Sequence, residues 1–155
     1  MGAPAAPFGR DVIEQLIPHR PPFLLVDEIV ELEPGVRVVG RRKVRARDWW
    51  FSGHFPERPV MPGVLTLEAI AQAGAVAVLA EEANRDKIPL FAGIDGCRFR
   101  RVVEPGDVLT LECEFGRVRG PIAKGRGRAL VGDDIAVEAE LTVFVASGVA
   151  DIGAG

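Results

Sequence analysis

The residues best suited to proton chemistry lie close together: His54 and Glu68, joined through a segment, Gly53 to Gly63, that holds three prolines and two glycines in eleven residues. A backbone so restricted can hold an imidazole in a fixed relation to the chain beyond it, as a preorganised acid–base site requires. The segment ends in Pro62-Gly63, the opening of a helix. Its first amides, Gly63 and Val64, lack intrahelical acceptors and can donate to a carbonyl oxygen that gains negative charge. Base, oxyanion donor and carboxyl acid are the parts needed to remove a proton alpha to a carbonyl and expel a beta-hydroxyl as water. Each part also has a plainer reading. An isolated histidine is more often structural, and a helical glutamate more often reaches the helix edge or pairs with an arginine. Gln72 lies on the stripe of Glu68, four residues on, where it either orients the carboxyl or simply packs.

Other chemistries find few residues. The chain has two cysteines, two histidines, two serines and no tyrosine. Cys97 and Cys113 fall in strand-like stretches outside any C-x-x-C pair and read as small buried hydrophobes. A zinc site would need both cysteines and both histidines to converge without the usual local spacing, so no metal is expected, and no cofactor. Neither Ser52 nor Ser147 lies in a nucleophile motif. The stretch Gly120 to Gly127 has the first spacing of a phosphate loop, but Arg126-Gly127 replaces the required Lys and Ser/Thr, so it reads as a turn between strands.

The elements that must position these residues fit one domain. At 155 residues, 48% hydrophobic and 26% charged, the chain can build one sizeable core, expected over about 9–147 with short flexible termini. A net charge of -3 argues against nucleic acid. The longest charge-free apolar run, Ala69 to Ala80, is short of a membrane span, and the start has neither a signal-peptide pattern nor the myristoylation pattern, which Ala6 breaks. A cytoplasmic protein is expected.

Period-two alternation marks strands. Leu109, Leu111, Cys113 and Phe115 oppose Thr110, Glu112 and Glu114, and Ile135, Val137, Ala139, Leu141, Val143 and Val145 repeat the pattern. Further strands are expected over Phe23–Val30 and Val36–Arg47, with a short helix over Asp11–Ile17 capped by Asp11 and ended by Pro18. Against this background stands one helix, Val64 to about Asn84, apolar nearly all round. A strongly curved antiparallel sheet wrapped around it is the economical way to bury it, an α+β hot-dog-like architecture.

The sequence resembles the (3R)-hydroxyacyl-acyl carrier protein dehydratases of type II fatty acid synthesis, which have the hot-dog fold. The resemblance runs from Ile13 to about Val145, through Leu16-Ile17-Pro18-His19-Arg20, Pro22-Phe23-Leu24-Leu25-Val26-Asp27, Phe91-Ala92-Gly93-Ile94-Asp95 and Arg98-Phe99-Arg100-Arg101. Its most specific block is Gly53-His54-Phe55-Pro56 through Pro59-Val60-Met61-Pro62-Gly63-Val64-Leu65 to Glu68-Ala69. The resemblance implies that His54 is the catalytic histidine, Glu68 the catalytic carboxyl and Gly63 the amide donor to the thioester carbonyl. It also implies an obligate homodimer, often a trimer of dimers, with His54 of one subunit facing Glu68 of the other. Burial is expected to keep Glu68 protonated: the opposing helix dipole fades within the first turn, and Glu68 lies about 7.5 Å along the axis from Gly63.

Pro21 and Leu90 stand where these dehydratases commonly have Tyr, which leaves tunnel gating and chain-length preference open. Trp49 and Trp50 add volume beside the loop, narrowing the pocket or packing at the dimer interface, and His19 and Arg20 are expected to be structural. The family's acidic partner, acyl carrier protein, calls for a basic surface. Residues 98 to 128 carry Arg98, Arg100, Arg101, Arg117, Arg119, Lys124, Arg126 and Arg128 against Glu104, Asp107, Glu112 and Glu114. Arg98, Arg100 and Arg101 are the preferred docking residues; the alternative is a solvated strand face. Two other functions are weighed. A dehydratase-isomerase carries Asp where this chain has Glu68, and a hot-dog thioesterase or non-catalytic acyl-thioester-binding module generally lacks the loop histidine.

Overall fold

The computed structural model describes residues 2–116 and 119–148. Its elements run β1 (Phe8–Gly9), α1 (Arg10–Leu16), β2 (Glu28–Glu33), β3 (Arg37–Lys43), α2 (Gly63–Ala80), a 3-10 turn (Glu82–Asn84), β4 (Ile88–Phe99), β5 (Val108–Phe115), β6 (Ile122–Val131) and β7 (Asp134–Ala146). The strands form one antiparallel sheet in the order β1-β2-β3-β5-β6-β7-β4. Helix α2 packs on β3, β5, β6 and β7, giving the expected hot-dog arrangement.

The alternation in sequence becomes the inner and outer faces of this sheet. Leu109, Leu111, Cys113 and Phe115 on β5 are buried, as are Val137, Ala139, Leu141, Val143 and Val145 on β7, while Glu114 and Glu140 are exposed. Apart from Ala71, every residue of α2 from Ala69 to Ala80 is buried. By length and composition α2 is apolar enough to cross a membrane, which the charge-free run did not anticipate because the helix starts six residues earlier. It is 72% buried inside the fold and is the core helix.

Helix α2 ends at Ala80, four residues before the expected stop, and its last carbonyls find other partners. Gly35 N–H donates to Ala77 O at 2.9 Å, Asn84 Nδ2 to Val78 O at 3.2 Å, and Arg85 Nη2 to Ala80 O at 3.3 Å. Each satisfies an acceptor the helix itself leaves open, and the guanidinium also suits the negative end of the dipole.

Three local expectations are corrected. The short helix starts at Arg10 with Gly9 as its N-cap, so Asp11 lies in the first turn and makes no cap bond. Residues 23–27 are buried or half-exposed irregular chain, and the strand begins only at Glu28. The reason is that Leu25 N–H is taken by the Gln72 side chain at 2.7 Å and Phe23 O by the Gln72 amide at 2.8 Å, in place of a ladder. Finally, most of the Gly120–Gly127 stretch is strand, with only Gly120-Pro121 turning. Its glycines serve close approach: a Cβ on Gly127 would collide with Ile70 of α2, and one on Gly125 would meet Glu114 O at 2.7 Å.

Candidate active site

The loop carrying His54 is held by its own backbone as well as by its prolines. Val60 N–H donates to His54 O at 2.9 Å, and Phe55 and Arg58 exchange bonds of 3.2 and 3.1 Å. His54 Nδ1 lies 2.7 Å from Val60 O. A carbonyl only accepts, so Nδ1 carries the proton and the lone pair is on Nε2, the tautomer a general base needs. The Phe55 ring stacks on the imidazole at 4.1 Å between centroids.

The base of this loop is anchored by a buried ionic cluster. Arg42, 4% exposed, donates to Asp48 Oδ1 at 2.5 Å, stands 3.5 Å from Asp27 and lies over the Trp50 ring. Asp48 Oδ2 accepts from Arg45 N–H at 2.8 Å. Trp50 and Phe51 enter the core, whereas Trp49 is half-exposed and its indole N–H donates to Pro22 O at 3.3 Å.

At the head of α2, Leu65 and Thr66 donate to Pro62 O, and among the described residues nothing accepts from Gly63 or Val64 N–H. These amides have the freedom an oxyanion donor requires. A side chain at Gly63 would press on Phe99, whose ring would come within 2.5 Å of a Cβ there. One turn on, the Glu68 carboxyl is about one-fifth exposed, and burial pushes its pKa upward against the lowering effect of the Gln72 hydrogen bond. Desolvation outweighs the Gln72 hydrogen bond, and the net direction is the expected one. Gln72 Nε2 donates to Glu68 Oε1 at 3.1 Å.

Glu68 also has a neighbour that sequence reasoning underrated. His19 Nε2 stands 3.7 Å from Glu68 Oε1, and burial, aided by the adjacent Arg20 charge, lowers the His19 pKa. The prolines of Pro18-His19-Arg20-Pro21-Pro22 and the family resemblance mark this segment in sequence, but nothing in its spacing points to Glu68. His54 and Glu68 share no hydrogen bond or ion pair among the described residues of the one chain. Glu68 is thus held by Gln72 with His19 beside it, and His54 by Val60 with Phe55 against its ring.

Residues 17–140 match the FabA-like domain family. The chain belongs to this family. A 3-hydroxyacyl-[acyl-carrier-protein] dehydratase FabZ from Chloroflexus aggregans is 61% identical over 133 residues, 86% of this chain and 92% of that protein. The enzyme of the same description from Bacillus cereus strain AH187 is 58% identical over the same shares. In fold, the chain is similar to one in the dehydratase heterocomplex ApeI:P from Xenorhabdus doucetiae, with a TM-score of 0.77, 18% identity and coverage of 90% of this chain and 93% of that one.

In this FabA-like chain four of the eight basic residues in the stretch have acidic partners among the described residues. Arg126 bonds Glu140 and Arg128 bonds Glu112 across strands, and just past the end of β4 Arg100 bonds Glu138 and Arg101 bonds Asp134. Arg98 donates to its neighbour Cys97 O, and Arg117 lies outside the described residues. A groove of about 530 Å³ on the outer sheet face is lined by Glu112, Arg126, Arg128, Glu138 and Glu140, charges that do not suit an acyl chain.

Proposed function

We propose that this FabA-like enzyme dehydrates (3R)-3-hydroxyacyl thioesters of acyl carrier protein to trans-2-enoyl thioesters, with His54 as base and Glu68 as acid. The observation that carries the assignment is that Val60 O occupies His54 Nδ1 and leaves Nε2 free. Burial favours the protonated carboxyl of Glu68. His54 Nε2 takes the C2 proton as the thioester oxygen gains charge against Gly63 and Val64 N–H. The C3–O bond then breaks, Glu68 delivers its proton to the departing hydroxyl, and water leaves as the C2–C3 double bond forms. Imidazolium and carboxylate remain, and proton return resets both.

The same reading shares each site between two chains, as the family resemblance implies; among the described residues of one chain His54 and Glu68 have no hydrogen bond or ion pair with each other. The β4 edge supports this: twelve residues long, bordered by no other strand among those described, it exposes Phe91, Ile94 and Phe99 by 41, 41 and 56%. So long and apolar an edge calls for a partner, and a second copy of β4 would join two sheets and bring each His54 to the other chain's Glu68. Three such dimers would form the hexamer. Arg98, Arg100 and Arg101 are the proposed docking residues for the acidic carrier. In their support, Phe99 sits against Gly63, and Met61 N–H bonds Val103 O at 2.8 Å, so this segment borders the head of α2. A cytoplasmic location belongs to the same reading. The test follows enoyl absorbance with 3-hydroxyacyl carrier-protein substrate for wild type, His54→Ala and Glu68→Gln. Loss of roughly 10²-fold or more in each folded variant is expected; full rate in either overturns the assignment.

A further inference from the structure

Two nitrogen groups converge on one oxygen of Glu68. Gln72 Nε2 donates to Oε1 at 3.1 Å, and His19 Nε2 approaches the same Oε1 at 3.7 Å. Oε2 has no polar partner among the described residues. We infer that His19 is a positioning residue: as the neutral Nε2–H tautomer it works with Gln72 to hold Oε1 as the acceptor oxygen, so that the transferable proton of Glu68 resides on Oε2. This rests on the acid role proposed for Glu68.

The tautomer follows from the surroundings of His19. Its Nδ1 is buried without a hydrogen-bond partner. An unpartnered buried N–H is rarer than an unpartnered lone pair, so the proton belongs on Nε2, facing the carboxyl. The 3.7 Å separation is longer than a hydrogen bond, as catalytic contacts often are before substrate tightens the site. Other charges nearby are accounted for. Arg20 donates to Ile17 O, His19 O and Glu14 O and stands 3.8 Å from the Glu14 carboxylate, so it leaves Glu68 to His19 and Gln72. The remaining titratable group on the proposed reading is His54 from a second copy. A carboxyl free to rotate would present its proton to substrate for only part of the time, and two donors on one oxygen remove that freedom.

The experiment compares wild type, His19→Phe and His19→Gln as assembled enzyme, reading kcat and the titration of the Glu68 carboxyl by its ¹³C resonance, assigned through Glu68→Gln. His19→Phe removes the donor: kcat falls about 10-fold, and Glu68 titrates at higher pH because its anion has lost an N–H. His19→Gln, with an amide donor in reach, restores both toward wild type. ¹⁵N spectra of wild-type His19 show the Nε2–H tautomer whether or not the variants fold. Unchanged kcat and titration in His19→Phe, or an Nδ1–H tautomer, overturns the inference. Loss as deep as in His54→Ala also overturns it, since His19 would then act as the base. Full activity in Glu68→Gln refutes the parent reading instead, and leaves the tautomer result standing on its own.

Discussion

Gln72→Leu tests how far one buried side chain supports both fold and site. Gln72 is 1% exposed, accepts from Leu25 N–H and donates to Phe23 O and Glu68 Oε1. Leucine fills nearly the same volume and makes none of these bonds. Leu25 is fully buried, so its orphaned N–H costs about 1–3 kcal/mol, while Phe23 is 44% exposed and its carbonyl can recruit water at a loss nearer 1 kcal/mol. The sum, about 2–4 kcal/mol, lowers Tm by roughly 5–15 °C for a chain of this size. Circular dichroism melts at one fixed protein concentration measure it, since association also moves Tm. Gln72→Glu is the control: its carboxylate can still accept from Leu25 N–H but offers Phe23 O and Glu68 no donor. Stability should therefore fall in both variants, and kcat with it as Glu68 loses its tether. A Gln72→Leu protein melting within about 2 °C of wild type at unchanged kcat would show that residues 23–25 and Glu68 are held by packing alone.

Stability should depend on pH in opposite senses through Glu68 and His19. The folded state holds the Glu68 proton longer than the unfolded chain does, so stability from this group is lost as pH rises from the ordinary carboxylate range toward the raised folded value. Glu68→Gln should therefore gain Tm relative to wild type as pH rises above the ordinary carboxylate range; a difference that stays constant as pH rises contradicts it. His19 binds its proton more weakly when folded, so its contribution is lost as pH falls below the ordinary histidine range, and His19→Phe should flatten that acid slope. Ile94→Asp places a charge on the exposed β4 edge and should convert the assembly to monomer by light scattering, with dehydratase activity lost alongside; a stable, active dimer would remove β4 as the interface.

The parts of the fold legible in sequence are those fixed by local period. The alternation in β5 and β7 needs only the two-residue repeat of a strand, and the apolar circumference of α2 demands a surrounding layer wherever the chain goes. The His54 loop and the free amides at Gly63 and Val64 were legible for the same reason, because proline content and helix polarity are local. Phe23–Val30 misled because an apolar run looks the same whether its backbone bonds run to a strand or to a side chain such as Gln72, far along the sequence. Gly125 and Gly127 misled because glycine marks both turns and close packing, and only the position of Phe115 and Ile70 distinguishes them. The pairing of Arg100 with Glu138 and Arg101 with Asp134 depends on how the chain past β4 lies on β7, where both residues' N–H groups bond Ala136 O; the composition of residues 98–128 does not contain that placement.

The environments of His54 and Glu68 explain why such a site divides between chains on the proposed reading. An acid and a base in direct contact exchange the proton and become an ion pair, which supplies neither function. Here each side chain is secured within its own chain. His54 is fixed through Nδ1 on Val60 O, and Glu68 is fixed through Oε1 by Gln72, with His19 beside the same oxygen. Both tethers use the atom that does not react, leaving His54 Nε2 and Glu68 Oε2 for substrate. Association then has only to set two prepared halves on opposite sides of the acyl chain, at C2 and C3. A folded monomer would keep both tethers and yet be inactive. Activity should therefore fall with dilution in step with dissociation.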